Sequence, residues 1–379
     1  MDGQRPRGIR LTEKQRLNWL RLIRSNNVGP ATFRDLITNC GSAEKAIEML
    51  PELSRRGGSR KSIKIASIQE AEAELEMISK FDARLIGIGE PEYPSALRQI
   101  DGAPPLLTVK GNIELTQRVS VGVVGSRNAS ISGNKFASKV SKELGNAGYV
   151  IISGLARGID ATAHIASIET GTIAALAGGI NRPYPPENLE LYHRICNGDG
   201  LAITEMKFGW KPIARDFPRR NRLIAGVSMG LLVVEAAMRS GSLITARNAG
   251  DFGRLVFAVP GSPFDPRSGG TNALLKDGAI LTTESNDIIQ ALAPLNNIQA
   301  RTSNIIEETG DDNANFAPPD EDARSLIIDA MGATPVEIDD IIRHTGCAAQ
   351  VVYMVLLELD LAGRLQRHPG GLVSFIFDT

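Results

Sequence analysis

The feature that most restricts the fold is a regular alternation of short apolar runs and helix-like segments between residues 111 and 295. Strands that are apolar on both faces are typical of a parallel sheet covered by helices on both sides. The sequence therefore predicts an α/β core built on an extended, doubly wound, Rossmann-like parallel sheet. The predicted strands lie at Leu85–Ile88, Leu106–Val109, Val119–Val124, Val150–Ser153, Thr172–Ala177, Leu201–Thr204, Leu231–Glu235, Leu255–Val259 and Ile280–Thr282.

A helical segment precedes this core. Thr12 is predicted to cap a helix that ends before the Asn27–Pro30 turn, and a second helix is predicted around Thr32–Thr38. Two helices joined by a tight Gly-Pro turn resemble a SAM-like or helix-hairpin-helix module, whose turn amides can bind DNA phosphates. A small packing domain without DNA contact is equally compatible with the pattern. We expect a helical domain over residues 1–80 and the sheet core over residues 81–300.

Two further regions follow the core. Residues 301–322 are acidic and polar, which predicts a flexible linker. Residues 323–379 contain three helical stretches and a final hairpin, the arrangement of a winged-helix domain. They are Ala323–Met331, Pro335–His344, Ala348–Ala362 and Arg364–Phe377.

The third of these helices has the wrong charge for a DNA groove. Thr345–Leu361 contains no Lys or Arg, but it contains Glu358 and Asp360. A helix that enters a groove must lie close to phosphates. We therefore expect the winged helix to bind a protein partner or to modulate a dimer.

The charge of the chain is divided between its two parts. The net charge is −1, but the first 300 residues carry +8 and the last 79 carry −9. Such asymmetry is typical of proteins that bind a polyanion through one region. Three scattered cysteines without a C-x-x-C pair predict reduced thiols in a cytoplasmic protein, with neither disulfides nor a zinc site. No apolar run is long enough to predict a membrane span.

Glycine-rich turns follow several predicted strands. The first, Gly125–Ser130, comes directly after a strand, and the second, Ser153–Asp160, has a similar composition. Ligands of open α/β sheets collect at the carboxyl ends of the strands, where glycines, hydroxyls and helix N–H groups can hold phosphate. The first turn lacks the G-x-G-x-x-G spacing of dinucleotide sites, and it has no Walker A lysine. Turns that merely allow the chain to reverse direction are the alternative interpretation.

A third cluster, Phe217–Arg222, places arginines and an asparagine beside an aromatic ring. A ring can stack on a base while guanidinium groups hold phosphates, which is the chemistry of single-strand binding. A fourth turn, Ser240–Ser242, precedes another helix. Several anion-competent turns at one sheet edge fit a polymer of phosphates better than one nucleotide. His164 and His193 lie in no catalytic motif, so we predict neither catalytic nor metal-binding residues, and no cofactor.

Seven strings occur here in an order that resembles the DNA-processing protein A (DprA/Smf) family of natural transformation. The resemblance covers about residues 84–295. The strings are Val124–Arg127, Ser153–Asp160, Tyr184–Pro185, Phe217–Arg222, Val233–Ala236, Ser240–Leu243 and Val259–Gly261.

The resemblance implies a protein that binds and protects single-stranded DNA, loads the RecA recombinase onto it, dimerises through the Rossmann domain and catalyses no reaction. Relatives often carry a basic residue after the Tyr-Pro pair, where this chain has Pro186, and the nearby Arg182 is the candidate to replace it. The predicted DNA-binding residues are Gly125, Ser126, Arg127, Ser130, Ser153, Gly154, Arg157, Phe217, Arg220, Asn221, Arg222 and Ser242.

Two alternatives remain open. Nucleotide phosphoribohydrolases have a similar Rossmann fold but carry a Pro-Gly-Gly-x-Gly-Thr loop, where this chain has Ser240–Leu243. A scaffold for recombination proteins that does not itself bind DNA is the second alternative.

Overall fold

The computed structural model describes residues 9–296 and 319–377. The described residues form two compact units. The sheet unit comprises those within Met1–Arg10 and Glu74–Ile305, and the helical unit those within Leu11–Ala73 and Ile306–Thr379. Segments that the sequence predicted as separate N-terminal and C-terminal domains therefore share one unit. Most of the predicted acidic linker, residues 301–318, lies outside the described residues.

Four helices begin the chain. Thr12 caps α1 as predicted, because its side chain accepts the N–H of Gln15. The aromatic rings of Trp19 and Phe33 meet edge to face at 5.0 Å, and both side chains are buried. The helices are α1 (Glu13–Arg24), α2 (Pro30–Cys40), α3 (Ala43–Arg56) and α4 (Ile68–Lys80).

Nine strands form the sheet, in the spatial order β1-β2-β6-β5-β4-β3-β7-β8-β9. The strands from β6 to β9 in this order pair in parallel, whereas β1 and β2 pair antiparallel at one edge. The strands are β1 (Arg84–Gly87), β2 (Leu106–Gly111), β3 (Ser120–Val124), β4 (Val150–Ser153), β5 (Thr172–Ala175), β6 (Leu201–Thr204), β7 (Gly230–Val233), β8 (Leu255–Ala258) and β9 (Ile280–Leu281).

Helices cover both faces of this sheet, so the predicted doubly wound α/β fold is confirmed. Val121 and Val123 of β3 are fully buried in a core shared with Val140 and Leu144, because a central parallel strand has no solvent-exposed face. The helices are α5 (Ser95–Arg98), α6 (Ile131–Asn146), α7 (Ile159–Ser167), α8 (Leu189–Asn197), α9 (Asp216–Val227), α10 (Gly241–Asp251), α11 (Gly269–Lys276) and α12 (Ser285–Asn296).

The C-terminal part of the helical unit is a winged helix, which confirms the second fold prediction. Its small antiparallel sheet has the order β10-β12-β11. The predicted helix from Pro335 was wrong at its start, since residues 336–337 pair with Val373 and Leu372 as a strand. The elements are α13 (Glu321–Asp329), β10 (Val336–Glu337), α14 (Ile338–Thr345), α15 (Ala349–Leu361), β11 (Leu365–Arg367) and β12 (Leu372–Phe375).

The helix α15 packs on two sides. One side contributes Val352, Val355 and Leu356 to the core of the winged helix. The other side packs against α2 and α3, and Asp360 at its end accepts a hydrogen bond from the Thr32 hydroxyl at 2.9 Å. Asn27 in the turn between α1 and α2 donates to the Leu361 carbonyl at 2.9 Å. The turn that could have offered amides to DNA is therefore in contact with the winged helix.

Candidate nucleic-acid interface

The predicted glycine-rich turns lie at one edge of the sheet. Gly125–Ser130 follows β3, Ser153–Gly158 follows β4, and Glu235–Ser240 follows β7. These three strands are neighbours, in the order β4-β3-β7. The chain continues from β3 to β4 on one side and later adds β7 on the other, so β3 and β7 flank a topological switch point. Ligands of open α/β sheets bind in the crevice at such a point.

The turn after β3 ends on a helix cap. The Ser130 hydroxyl accepts the N–H of Gly133 at 2.9 Å and thereby caps α6. The same hydroxyl donates to the carboxylate of Glu235 at 2.5 Å, and the Ser130 N–H donates to it at 2.9 Å. The Ser126 hydroxyl accepts the N–H of Asn128 at 3.2 Å, which tightens the turn. Ser130 is thus already bonded to a carboxylate where the sequence predicted a phosphate.

Arg127 projects from this turn beside two aromatic rings. Arg127 is exposed, and its guanidinium carbon lies 5.6 Å from the centroid of the Phe217 ring. The Tyr184 ring lies 5.6 Å from that of Phe217, edge to face, and Tyr184 is 48% exposed. A cation and two rings on one surface match the groups that bind successive phosphates and bases of a single strand. We call Arg127, Phe217 and Tyr184 the aromatic–arginine cluster.

The turn after β4 is held from inside the protein. The Asp160 carboxylate accepts the N–H groups of Gly154 at 3.1 Å and Ala156 at 3.4 Å. Leu155 between them has φ of 57°, a left-handed conformation that is costly for a leucine. Its N–H donates to Nε2 of His164 at 3.3 Å, and its carbonyl accepts the Asn188 side chain at 2.9 Å. Two buried side chains, Asp160 and His164, and the partly buried Asn188 thus fix the shape of this turn.

Arg220 lies beneath this turn rather than in the groove. It is only 6% exposed, and its guanidinium lies 3.7 Å from the Asp160 carboxylate. A Cβ atom on Gly154 would lie 1.1 Å from Nη1 of Arg220, so only glycine leaves room for the guanidinium. Burial raises the pKa of Asp160, against the opposing effect of Arg220. The predicted phosphate contact of Arg220 therefore does not fit its position.

Four more predicted side chains also have partners inside the protein. Ser153 donates to the Val123 carbonyl at 2.6 Å. Asn221 donates to the Gly241 carbonyl at 3.2 Å, and Arg222 pairs with Glu205 at 3.1 Å. The Ser242 hydroxyl bonds to that of Ser240 at 2.7 Å. Arg222 is partly buried and the other three are at most 8% exposed, so these groups support the sheet edge. Of the predicted side chains, Arg127 and Arg157 are exposed, and Ser126, Ser130, Phe217 and Arg222 are partly exposed.

Comparison with known proteins decides the family. A model of the DNA recombination-mediator protein A family matches residues 84–293. The chain belongs to the DNA-processing protein A (DprA/Smf) family. Models of the DprA-like N-terminal HHH domain and of the DprA winged helix domain match residues 13–76 and 313–371. The family predicted from the seven motifs is therefore confirmed.

Several DprA/Smf relatives are similar over much of the chain. Protein Smf of Escherichia coli is 35% identical over 307 residues, which cover 80% of each chain. The DNA processing protein DprA of Streptococcus pneumoniae is 46% identical over 199 residues, 52% of this chain and 70% of that protein.

Two solved structures of DprA proteins share the fold. The Streptococcus pneumoniae structure has a TM-score of 0.62 at 35% identity and covers 74% of this chain and 98% of its own. The Helicobacter pylori structure, described for its single-stranded DNA binding mode, has a TM-score of 0.51 at 26% identity and covers 56% and 96%.

The DprA/Smf motifs and their neighbours contain surface residues that the sequence prediction did not select. Tyr184 lies in the loop after β5, so the rule that ligands bind at the carboxyl ends of strands would have found it. Arg215 and Arg219 are exposed at the start of α9, next to Phe217. Within the described ranges, no group of three or more His, Cys, Asp or Glu residues could hold a metal ion. None of the helices described there is long and apolar enough to cross a bilayer.

Proposed function

We propose that this protein binds single-stranded DNA along the carboxyl edge of its parallel sheet and catalyses no reaction. The aromatic–arginine cluster carries this proposal, because it combines an exposed cation on the turn after β3 with two neighbouring rings. Base–aromatic stacking contributes about 1–3 kcal/mol per base and tolerates any sequence. The single-strand binding described for the Helicobacter pylori relative supports the same ligand.

The ligand is a single strand rather than a duplex for two reasons. Exposed rings can stack only on bases that are not already stacked in a helix. The winged helix, which reads duplex DNA in many proteins, here packs its third helix α15 against α2 and α3. That helix also contains no Lys or Arg that could neutralise phosphates.

Further parts of the proposal rest on family membership. The protein loads the RecA recombinase onto the bound strand during natural transformation, forms a homodimer through the sheet unit and acts in the cytoplasm. The competing hydrolase function would require a characteristic glycine-rich sequence, which the loop after β7 does not contain. Ser240 caps α10 there, and the stretch has no Pro-Gly-Gly-x-Gly-Thr sequence. Release of free base from nucleoside monophosphates by the purified protein would favour that alternative.

The proposal is tested by Arg127→Ala in the full chain. Fluorescence anisotropy with a labelled oligo-dT strand is measured over a range of salt concentrations. Loss of one phosphate contact reduces the slope of log K against log salt by about 0.7 for a single strand. We expect weaker binding, a shallower slope and an unchanged melting temperature, and the same loss of affinity with a mixed-sequence strand.

Arg84→Ala serves as the matched control. Arg84 is also exposed, but it lies on β1, five strand positions from β3. At about 4.8 Å between strands, this separation is roughly 24 Å. The control should bind like the unmodified protein. Equal slopes for Arg127→Ala and the unmodified protein would refute the assigned role of Arg127.

A further inference from the structure

Glu235 lies at the centre of the proposed interface, although a carboxylate repels DNA. It follows β7 directly after Val234, and both of its carboxylate oxygens bond to Ser130, on the N–H at 2.9 Å and on the hydroxyl at 2.5 Å. Ser130 in turn caps α6 through Gly133. An unbroken chain of hydrogen bonds thus links the end of β7 to the start of α6.

The local sequence makes room for this carboxylate. A Cβ atom on Gly133 would lie 2.6 Å from the Glu235 carboxyl carbon, so the absence of a side chain there lets the carboxylate approach the helix. The N-terminus of a helix carries a partial positive charge, which stabilises a nearby anion. Glu235 therefore occupies the position in which a phosphate is favourable on general grounds.

The bond fixes one end of the turn that presents Arg127. The segment from Gly125 to Ser130 is anchored at its beginning by β3, which pairs with β4 and β7. At its other end it is anchored by α6 and by Glu235. The Ser126 carbonyl also accepts the N–H of Ile159 at 3.2 Å, so the turn is held on the N-terminal side of Arg127 as well. Removal of Glu235 loosens the other side, between Arg127 and Ser130, and lets the guanidinium move away from Phe217.

We propose that Glu235 is a positioning residue for DNA binding: it holds the turn that places Arg127 over Phe217, and it contacts no DNA itself. The inference rests on the proposed single-strand binding function. It also explains why Ser130, which the sequence predicted as a phosphate ligand, bonds to Glu235 instead.

Two effects of removing Glu235 have opposite signs, which makes the inference testable. Removal of a negative charge from a DNA groove strengthens binding by electrostatics alone. Loss of the anchor weakens binding, because Arg127 is no longer held for its phosphate. If Glu235 is a positioning residue, the second effect is larger.

The experiment measures oligo-dT binding to full-length Glu235→Ala, Glu235→Gln and Arg127→Ala over a range of salt concentrations. We expect Glu235→Ala to bind about tenfold more weakly, with the same reduction of salt slope as Arg127→Ala, about 0.7. Glu235→Gln keeps an oxygen that can accept the Ser130 N–H and should recover part of the affinity. The double variant Glu235→Ala/Arg127→Ala should bind no more weakly than Arg127→Ala, because both changes remove one contact.

Glu187→Ala is the matched control for charge. Glu187 lies 3.8 Å from Arg157 near the same edge and is exposed, but it does not bond to the Gly125–Ser130 turn. Its removal should leave binding slightly tighter. Circular dichroism melting of each variant identifies those that fail to fold, and Glu235→Gln, which keeps the side-chain shape, then serves in place of Glu235→Ala.

The outcomes separate the two proposals. If Arg127→Ala binds like the unmodified protein, the proposed function fails. If Arg127→Ala binds weakly but Glu235→Ala binds equally or more tightly than the unmodified protein, the positioning role of Glu235 is refuted while the function stands. An additive loss in the double variant also contradicts the positioning role.

Discussion

Arg220 is expected to stabilise the fold rather than to contact DNA. It is 6% exposed, and its only ion-pair partner among the described residues is Asp160, which is 5% exposed. Removing one member of a buried ion pair leaves the other charge without compensation and costs about 3–5 kcal/mol. For a domain of the size of the sheet unit, 1 kcal/mol lowers the melting temperature by about 2–4 °C. Arg220→Ala should therefore melt roughly 6–20 °C lower.

The pH dependence of this loss follows from Asp160. Burial raises the pKa of Asp160, whereas Arg220 lowers it, so Arg220→Ala raises the pKa further. When the pKa of a carboxyl is higher in the folded than in the unfolded state, the folded protein binds the proton more tightly. The free energy of unfolding is then highest at low pH and decreases as the pH rises and the carboxyl ionises. The destabilisation of Arg220→Ala should be full at pH 7.5 and smaller at pH 5.

The assay is thermal unfolding followed by circular dichroism at pH 7.5 and pH 5, combined with anisotropy of a labelled oligo-dT strand. Arg219→Ala is the control for stability only, since Arg219 is the preceding residue on α9 but is exposed. An exposed substitution typically changes stability by no more than about 0.5 kcal/mol. If Arg220→Ala melts like the control and loses a phosphate contact in the salt slope, the buried assignment is wrong and Arg220 binds DNA directly.

Two further predictions concern other buried charged or titratable side chains. Burial and the charge of Arg220 lower the pKa of His164 to about 3. Because unfolded His164 binds a proton near pH 6.5, stability should fall as the pH decreases from 6.5, by up to about 1.4 kcal/mol per pH unit. Urea unfolding of His164→Gln from pH 7 to pH 5 should show less of this decrease, whereas the exposed control His193→Gln should not differ. Glu358 is fully buried and bonds to Arg324 at 2.7 Å, so Glu358→Ala should cost about 3–5 kcal/mol in thermal unfolding, against about 0.5 for Glu321→Ala. A loss equal to that of Glu321→Ala would contradict the buried pairing.

The sheet could be predicted from sequence because its signal is local. Each strand is a short apolar run followed by a helix, and right-handed crossovers between parallel strands then bring the turns to one edge. Strand order is not local, so the sequence did not show that β2 pairs with β6 or that β1 and β2 are antiparallel. The short strand at residues 336–337 was missed because two residues have no measurable periodicity.

The site was predicted less completely than the sheet. The sequence identified the turns, but it could not tell which arginines of the Phe217–Arg222 cluster point inward. An arginine is rarely buried without a partner for its charge, and the partner of Arg220 is Asp160, 60 positions earlier in the chain. The same holds for Ser130, whose partner Glu235 lies 105 positions later. The amino-acid sequence alone does not distinguish the buried arginine of the Phe217–Arg222 cluster from the exposed one.

The helix α15 contains no Lys or Arg, and its position in the fold accounts for this composition. Its lack of Lys and Arg predicted a protein contact rather than groove binding, and in the structure the helix packs both in the winged-helix core and against α2 and α3. The acidic residues at its end are matched there, since Arg367 lies 2.9 Å from Asp360 and 2.7 Å from Asp35, and Arg56 lies 4.0 Å from Glu358.

This internal matching explains how a chain with a net charge of −1 can still bind a polyanion. Charges interact in solution over about 8 Å at physiological salt. A phosphate at the sheet edge therefore responds to the cations exposed there, not to the charge of the whole chain. Residues 111–300 carry an excess of four positive charges, and Arg127, Arg157, Arg215 and Arg219 are exposed among them. If the sum over the whole chain governed binding, neutralising the three exposed carboxylates Glu337, Asp339 and Asp340 would strengthen oligo-dT binding by more than the single change Arg127→Ala weakens it.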